Sequence, residues 1–288
     1  MPKFLATSKT SNANAKIDEQ DPLVGKYQVM KTIRIAFTLL LGALVVCAQK
    51  PIEDNSFLLE EAYNQEKGVI QYIQTFHRER GGNFAYSFTN EMPIKKQQHQ
   101  FSYTINVNRN DGTTRFGDTY VNYRYQMAGL KEEDKVAVAP RFSLILPTGS
   151  YRRETGSGAL GFQFNLPVSV THSKKFVTHW NAGTTFIPKA RSVTGEKANT
   201  KGFNLGQSTV FLAKTNFNVL VETVWNYNEK VIGRNRTESE YSLLINPAIR
   251  WAWNMKSGLQ IVPGIGVPLG VGPSRGERGI FLYLSLEK

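Results

Sequence analysis

From about residue 69 onward, apolar and polar residues alternate in segments of about ten residues, and short polar stretches separate these segments. In one clear case, Phe101, Tyr103, Ile105 and Val107 alternate with amide and hydroxyl residues. A period of two residues indicates β-strands. The pattern predicts an all-β chain with twelve strands, near residues 69–78, 84–91, 99–108, 114–128, 136–147, 159–171, 176–188, 203–213, 217–228, 241–253, 259–270 and 280–287.

The connections between these segments alternate in length. Long polar connections are expected at residues 150–158, 189–202, 229–240 and 271–279, and tight turns at 172–175, 214–216 and 254–258. Long loops on one side and short turns on the other are typical of barrels in bacterial outer membranes. The sequence therefore predicts a transmembrane antiparallel up-and-down β-barrel over residues 69–288, at the outer membrane of a Gram-negative bacterium.

Alternation alone does not tell which face of the sheet is outside, since a soluble lipocalin-like barrel or a sandwich alternates with its apolar face inward. Three features favour a membrane barrel with the apolar face outward. The strands are long enough to cross the hydrocarbon layer at a tilt, and the second face mixes Asn, Gln, Gly and Arg. Aromatic residues also stand near predicted strand ends, namely Trp225, Trp251, Trp253 and Tyr283.

The first 68 residues divide into three predicted segments. Residues 1–29 are expected to be an over-extended or disordered leader. Residues 30–48 are expected to be a signal peptide, because the apolar run 35–46 follows Lys31 and Arg34 and precedes a cleavage pattern at Cys47; the alternative is a lipoprotein signal with Cys47 as the lipidated residue. The acidic residues 49–68 form either a periplasmic tail, which the sequence favours, or a plug inside the barrel.

Composition excludes several classes of protein and site. Cys47 is the only cysteine, so disulfide frameworks and cysteine-based metal sites or nucleophiles are not expected. The mean hydropathy is negative, which excludes a bundle of membrane helices. No spacing of His or carboxylates suggests a metal, no Gly-rich loop suggests a phosphate cofactor, and no catalytic residues are assigned. The net charge is +12, or +9 without residues 1–48, which hold six Lys/Arg and three Asp/Glu. This positive excess is interpreted as a source of loop solubility and of attraction to outer-membrane lipids and lipopolysaccharide rather than to nucleic acid.

Several segments resemble a known family. Residues 54–69, Asn122-Tyr123-Arg124-Tyr125-Gln126 and Leu146-Pro147-Thr148-Gly149 resemble the transporter-like, or phenol-degradation-pathway (MetA), family of bacterial outer-membrane proteins, over roughly residues 54–288. The resemblance implies a barrel inserted by the barrel-assembly machinery and a role in small-molecule passage, without catalytic residues. Barrels of this kind usually end on an aromatic residue, whereas this chain stops at Leu286-Glu287-Lys288, so either Tyr283 serves the assembly machinery or the gene is truncated.

Strand parity predicts which polar residues face the lumen. They are Asp118, Asn122, Arg124, Arg141, Gln163, Asn165, His179, Asn181, Gln207, Glu222, Asn226, Asn246 and Arg250. In one interpretation, the three arginines set against Asp118 and Glu222 form a charged lining that selects polar or anionic solutes. In the other, the same groups form a salt-bridged plug that fills a narrow lumen. The sequence leaves both open.

The sequence favours a passive or facilitated pathway for a small-molecule solute, with the oligomeric state open. A second hypothesis is a closed structural or adhesion barrel whose basic outer loops bind anionic surface lipid through Arg152, Arg153, Lys189, Arg191, Lys197 and Lys201. A third is a lipid-modifying barrel enzyme, although none of the four histidines stands in a recognisable nucleophile motif.

Overall fold

Twelve antiparallel strands close into one barrel in the computed structural model, which describes residues 55–110, 112–131 and 133–288. The predicted leader and signal peptide lie outside these residues. The strands are β1 (Gln71–Glu79), β2 (Phe84–Ile94), β3 (Lys96–Asn110), β4 (Thr113–Phe116 and Thr119–Tyr125), β5 (Val136–Val138 and Arg141–Leu146), β6 (Gly161–Ser173), β7 (Phe176–Arg191), β8 (Lys197–Lys214), β9 (Phe217–Gly233), β10 (Arg236–Trp251 and Trp253–Asn254), β11 (Gln260–Gly266 and Leu269–Gly270) and β12 (Gly279–Glu287).

Each strand pairs with its neighbours in sequence, and β1 pairs with β12 from Gln71 opposite Glu287 to Glu79 opposite Gly279. The twelve-strand prediction is confirmed. Closure pairs the edge strands, which lipid requires because unpaired backbone groups find no water there. Two of the interrupted strands break next to Pro140 and Pro268, whose backbone nitrogens cannot donate to a ladder. No helix in the described part of the chain is long and apolar enough to span a membrane.

The two faces of the barrel differ as the sequence predicts. On the outer face, Phe164, Phe203 and Leu205 are 44%, 47% and 55% exposed. On the inner face, Ser208 and Glu222 are fully buried. Large apolar side chains therefore face outward and polar ones inward, which is the arrangement of a barrel surrounded by hydrocarbon.

The barrel has two distinct rims. The terminal rim is the end where β1 begins and β12 ends, and it carries the connections β2–β3, β4–β5, β6–β7, β8–β9 and β10–β11. The loop rim is the opposite end. It carries the connection β5–β6, with a short 3-10 turn at Tyr151–Arg153, and β11–β12, with another at Gly272–Ser274.

Two of the predicted long loops are wrong. Residues 189–202 and 229–240 mostly extend the strands, so that β7 and β8 are joined by residues 192–196 and β9 and β10 by 234–235. The ladder continues there, with Lys197 opposite Arg191 and Gly233 opposite Arg236. Ala190, Ala198 and Val231 form a small buried apolar cluster beside these hairpins, which favours the extended form.

The prediction that Tyr283 is an interface aromatic is also wrong. Tyr283 is 4% exposed and lies on the inner face of β12 with Phe281, whereas Ile280 and Leu282 face outward. The alternation in β12 therefore carries aromatic residues on its inner face. A partner in the lumen explains why they are there.

Candidate functional site

A segment before β1 crosses the lumen. Residues 55–65, named the plug here, lie inside the barrel wall, and Asn55, Ser56, Phe57, Glu61 and Asn64 are each at most 7% exposed. Its contacts at Ser169, Asn181 and Glu222 lie in the halves of β6, β7 and β9 nearer the terminal rim. The tail that the sequence favours for this segment is thus not what the described residues form.

Side-chain oxygens of the barrel hold the plug backbone. The amides of Phe57 and Leu58 donate to Glu222 Oε1 (2.9 and 2.8 Å), that of Glu60 to Asn181 Oδ1 (3.0 Å), that of Ala62 to Ser169 Oγ (2.8 Å), that of Asn64 to Gln126 Oε1 (2.9 Å) and that of Gln65 to Gln100 Oε1 (2.7 Å). Buried amides need acceptors, and each such bond contributes about 0.5–1.5 kcal/mol. Polar lumen side chains therefore do for the plug what a neighbouring strand does within a sheet.

Arg124 binds the plug through several hydrogen bonds. Its guanidinium donates to Asn64 Oδ1 (2.7 Å), Glu61 O (3.2 Å) and Tyr63 O (2.6 Å). Its charge also faces carboxylates of Glu91 at 3.6 Å and Glu61 at 4.0 Å. Arg124 is 2% exposed, so the arginine requires these partners as much as the plug requires the arginine.

Arg141 contacts the plug through an ion pair. Its Nη2 lies 2.7 Å from Glu60 Oε1. The barrel holds the same guanidinium through Asn122 Oδ1 (2.8 Å), Ser143 Oγ (2.7 Å) and Gln163 Oε1 (2.8 Å). The arginine is thus positioned by three strands and reaches the plug from the wall.

The first part of the plug packs against apolar and glycine positions of the wall. Phe57 stacks on Tyr283 and Phe281, with ring centroids 4.8 and 5.7 Å apart. A Cβ on Gly264 would lie 2.3 Å from Phe57 Cζ, and a Cβ on Gly206 would lie 2.3 Å from Leu59 Cδ2. The two glycines therefore leave the space that these side chains occupy.

Most of the predicted lumen residues lie on the inner wall near the plug. Arg124, Arg141, Asn165, Asn181 and Glu222 touch it, and Asn122 and Gln163 hold Arg141. Asn246 Nδ2 donates to Glu222 Oε2 (2.8 Å), and Arg250 is buried beside Gly264. Asn226 lines a cavity that the plug also lines. Sequence reasoning missed Gln100, Gln126 and Ser169 as anchors, although parity also placed Gln100 and Ser169 opposite apolar residues.

Gln207 is an exception to the predicted set. It shares the outer face of β8 with Phe203 and Leu205, while Gly206 and Ser208 face the lumen. Its amide donates to Thr209 Oγ1, two residues along the same face, at 2.7 Å. This local bond compensates for the outward position of the amide.

Asp118 lies near the loop rim and fixes a loop instead of the plug. Its carboxylate accepts the amide of Gly149 (3.0 Å) and both the amide and the hydroxyl of Ser157 (2.7 Å each). Gly117 O also accepts the Thr148 hydroxyl (2.9 Å). The β5–β6 loop is thereby pinned over the loop-rim end of the barrel.

Ser169 and His179 form a hydroxyl–imidazole pair, with Oγ and Nδ1 2.7 Å apart. Both side chains are fully buried, and Ser169 also accepts the Ala62 amide. They face the plug on the inside of the wall, away from the lipid side where a lipid-modifying site would need them. Among the described residues there is no group of three or more potential metal ligands.

The comparisons with known proteins agree with this architecture. Residues 51–284 match the family model described as putative MetA-pathway of phenol degradation. A solved outer membrane channel from Pseudomonas putida F1 has a similar structure (TM-score 0.58, 11% identity, covering 85% of this chain and 99% of that one). The KdgM porin is more distant (TM-score 0.47, 10% identity, covering 75% of this chain and 97% of that one). No curated protein matches the chain.

The resemblance seen in the sequence is therefore confirmed by a match that spans most of the chain. The closed barrel, its apolar outer face and its polar lumen are those of a protein inserted in the outer membrane. The chain is an outer-membrane β-barrel and belongs to the family described as putative MetA-pathway of phenol degradation.

Proposed function

We propose that this barrel is a gated pathway for small polar molecules across the outer membrane, and that the plug is its gate. The observation that carries the proposal is the way in which the plug is held. Side chains of Glu222, Asn181, Ser169 and Gln126 bind its backbone, whereas the barrel closes through its own strands, with β1 on β12. The plug can thus leave without breaking a barrel ladder.

The space around the plug supports the same function. Cavities of about 180, 230 and 480 Å³ surround it, and Glu60 and Arg141 line all three. All nine residues that line the largest of these carry polar side chains. Water and hydrophilic solutes are stable against such walls, which favours passage of polar molecules over a filled structural core.

The fold of the related channel supports the proposal too. The Pseudomonas putida F1 protein is named as an outer membrane channel, and nearly its whole length superposes on this barrel. Transport, rather than catalysis, is the role that we assign to this chain. Arg124, Arg141 and Glu222 hold the plug and Asp118 holds the β5–β6 loop, so structural contacts account for the burial of these charged groups.

A chain that lacks residues 55–65 tests the proposal. We expect this deletion to convert purified protein in planar bilayers from rare, small currents to a stable open conductance, and to increase sorbitol flux in liposome swelling. A matched control is Gln207→Ala, which alters an outward-facing amide and leaves the currents of the full chain unchanged. Insertion is checked by the heat-modifiable mobility typical of folded barrels.

The competing hypothesis is a closed structural barrel. It predicts that the deletion variant, although folded and inserted, carries no current at any voltage. That result would overturn the gated pathway.

A further inference from the structure

One ion pair lines all three of the cavities described around the plug. Glu60 of the plug and Arg141 of β5 line each of them, with side chains 31% and 14% exposed. Arg124, which also binds the plug, is 3% exposed at its side chain and is enclosed by plug carbonyls. Arg141 is therefore more accessible than Arg124 to a solute in the cavities.

The three guanidinium nitrogens of Arg141 differ in the number of acceptors that they contact. Nη1 donates to Asn122 and Ser143, and Nη2 donates to Gln163 and Glu60, whereas Nε is buried and has no hydrogen-bond partner among the described residues. A carboxylate binds a guanidinium best through two parallel bonds, for which the side-on edge offers Nε and one Nη. Glu60 uses one of these two donors through a single oxygen. In the plugged form, the edge therefore keeps one buried donor, Nε, that has no acceptor, beside the Nη2 that Glu60 uses.

The Glu60 carboxylate has weak secondary contacts. Asn165 Nδ2 lies 3.3 Å from Oε1, and Arg124 Nη1 lies 4.0 Å from Oε2. The Glu60 backbone is held separately, because Asn181 accepts its amide at 3.0 Å and donates to its carbonyl at 2.7 Å. The side chain can therefore leave Arg141 while the plug backbone remains bound.

The surroundings of Arg141 indicate what kind of carboxylate fits. The cavity of about 480 Å³ toward the loop rim is lined by Thr104, Asn106, Asn108, Tyr120, Thr155 and Gln163 in addition to the ion pair and Asp118. Amides and hydroxyls both donate and accept, so they match the hydroxyl groups of a solute. The negative charge of Asp118 is engaged by the amides of Gly149 and Ser157 and does not oppose an anion as a bare charge would.

We propose that Arg141 is the binding site for the carboxylate of small hydroxylated acids, and that Glu60 occupies this position when the site is empty. This inference depends on the proposed function only for the passage of the solute through the barrel; binding at Arg141 does not depend on it. The Glu60 side chain first moves away into the cavity, which uncovers the buried Nε. The solute's carboxylate then binds Nε and Nη2 of Arg141, and its hydroxyls bind the amide and hydroxyl side chains of the cavity wall.

Equilibrium binding to the detergent-solubilised full chain tests this, by calorimetry in a chloride-poor buffer. The probes are gluconate, a hydroxylated acid, and sorbitol, a neutral polyol of the same chain length. We expect saturable gluconate binding and at least about tenfold weaker sorbitol binding. Glu60→Gln removes the internal competitor and is expected to tighten gluconate binding by about tenfold, since a carboxylate no longer has to be displaced.

Two variants of Arg141 separate the effect of its positive charge from that of the planar guanidinium. Arg141→Gln is expected to abolish the preference for gluconate, and Arg141→Lys, which keeps the charge but loses the side-on edge, is expected to reduce it. Arg153→Gln, an exposed loop arginine, is the control and keeps the parent affinity. Equal affinity for gluconate and sorbitol, or weaker gluconate binding by a folded Glu60→Gln chain, would overturn the proposal.

The outcome of this binding experiment can be told apart from the outcome of the plug-deletion experiment. Gluconate binding by a protein whose plug deletion carries no current would retain the site and refute the pathway. An open conductance without any preference for gluconate would retain the pathway and refute the site.

Discussion

Single glycines in the wall decide where the plug fits. At Gly206 and Gly264, a Cβ would lie 2.3 Å from plug atoms of Leu59 and Phe57, which is far inside van der Waals contact. Glycine weakens a strand, and in strand interiors it often marks the close approach of another backbone or ligand. These two positions therefore have a reason to be glycine that lies outside the sheet itself.

Gly264→Ala is expected to expel Phe57 from the wall. The phenyl ring is stacked on Phe281 and Tyr283 and cannot move aside easily, so overpacking should destabilise the closed plug by about 1–3 kcal/mol. The measurement is the open fraction in planar bilayers, which should rise. Gly81→Ala is the control, since nothing lies within 4 Å of a Cβ there. An unchanged open fraction in a folded Gly264→Ala chain would contradict the assigned packing.

Arg124→Ala is expected to destabilise the full chain by about 3–5 kcal/mol, because it removes a buried cation that lies 3.6 Å from Glu91 and 4.0 Å from Glu61. In a chain that lacks residues 55–65, the same substitution should cost less, since the Asn64 and Tyr63 acceptors are gone. Urea unfolding from lipid vesicles measures both free energies. Equal losses in the two chains would show that Arg124 does not hold the plug.

At this scale, parity in the sequence predicts which face a residue occupies but not what it touches. Arg124, Asn181 and Glu222 could be placed on the inner wall from alternation alone. Their partner is a segment that lacks any alternating pattern, so nothing in the sequence showed that the wall amides bind it. Gln207 and Tyr283 depart from the prediction because each shares the face of the residues two positions away in its strand. Gln207 lies with Leu205 on the outer face, and Tyr283 lies with Phe281 on the inner face.

Among the elements, the β5–β6 loop is held by one carboxylate. Asp118→Ala is expected to release this loop without releasing the plug, since Asp118 accepts from Gly149 and Ser157 at the loop rim. Limited trypsin digestion should then cleave faster at Arg152 and Arg153, while the open fraction stays that of the parent. Asp134→Ala, which removes an acceptor for the Lys131 amide at the other rim, serves as the control. Cleavage rates that stay equal would contradict this role.

The same scale shows why strand number was predictable and strand ends were not. The membrane-facing parts of the strands must alternate, because one face meets lipid and the other meets polar groups. Beyond the hydrocarbon, the outer face of a hairpin no longer needs large apolar side chains, and the alternation in the sequence fades in residues 189–202 and 229–240. There the ladder hydrogen bonds and the small cluster of Ala190, Ala198 and Val231 maintain the strands. Neither of them produces a clear alternation of apolar and polar residues in the sequence.

For the whole molecule, the central claim is that the barrel and the plug are separable. The ladders close the barrel from β1 to β12, while the plug is bound across the lumen by side chains. The proposed function requires such a molecule to alternate between plugged and open forms, at a cost that includes these hydrogen bonds and the contacts of Arg124 and Arg141. A barrel that needs its plug to fold does not have this property.

A reversible lock on the plug tests this claim most directly. Leu59 and Gly206 are chosen as the disulfide pair, because a Cβ on Gly206 lies 3.3 Å from Leu59 Cγ, the atom that a cysteine Sγ would replace. The pair Leu59→Cys and Gly206→Cys is placed in an Arg124→Ala, Cys47→Ala chain, and current is recorded in one bilayer before and after reductant. We expect near silence when the pair is oxidised and sustained current after reduction. Current that is the same in both states would contradict this claim.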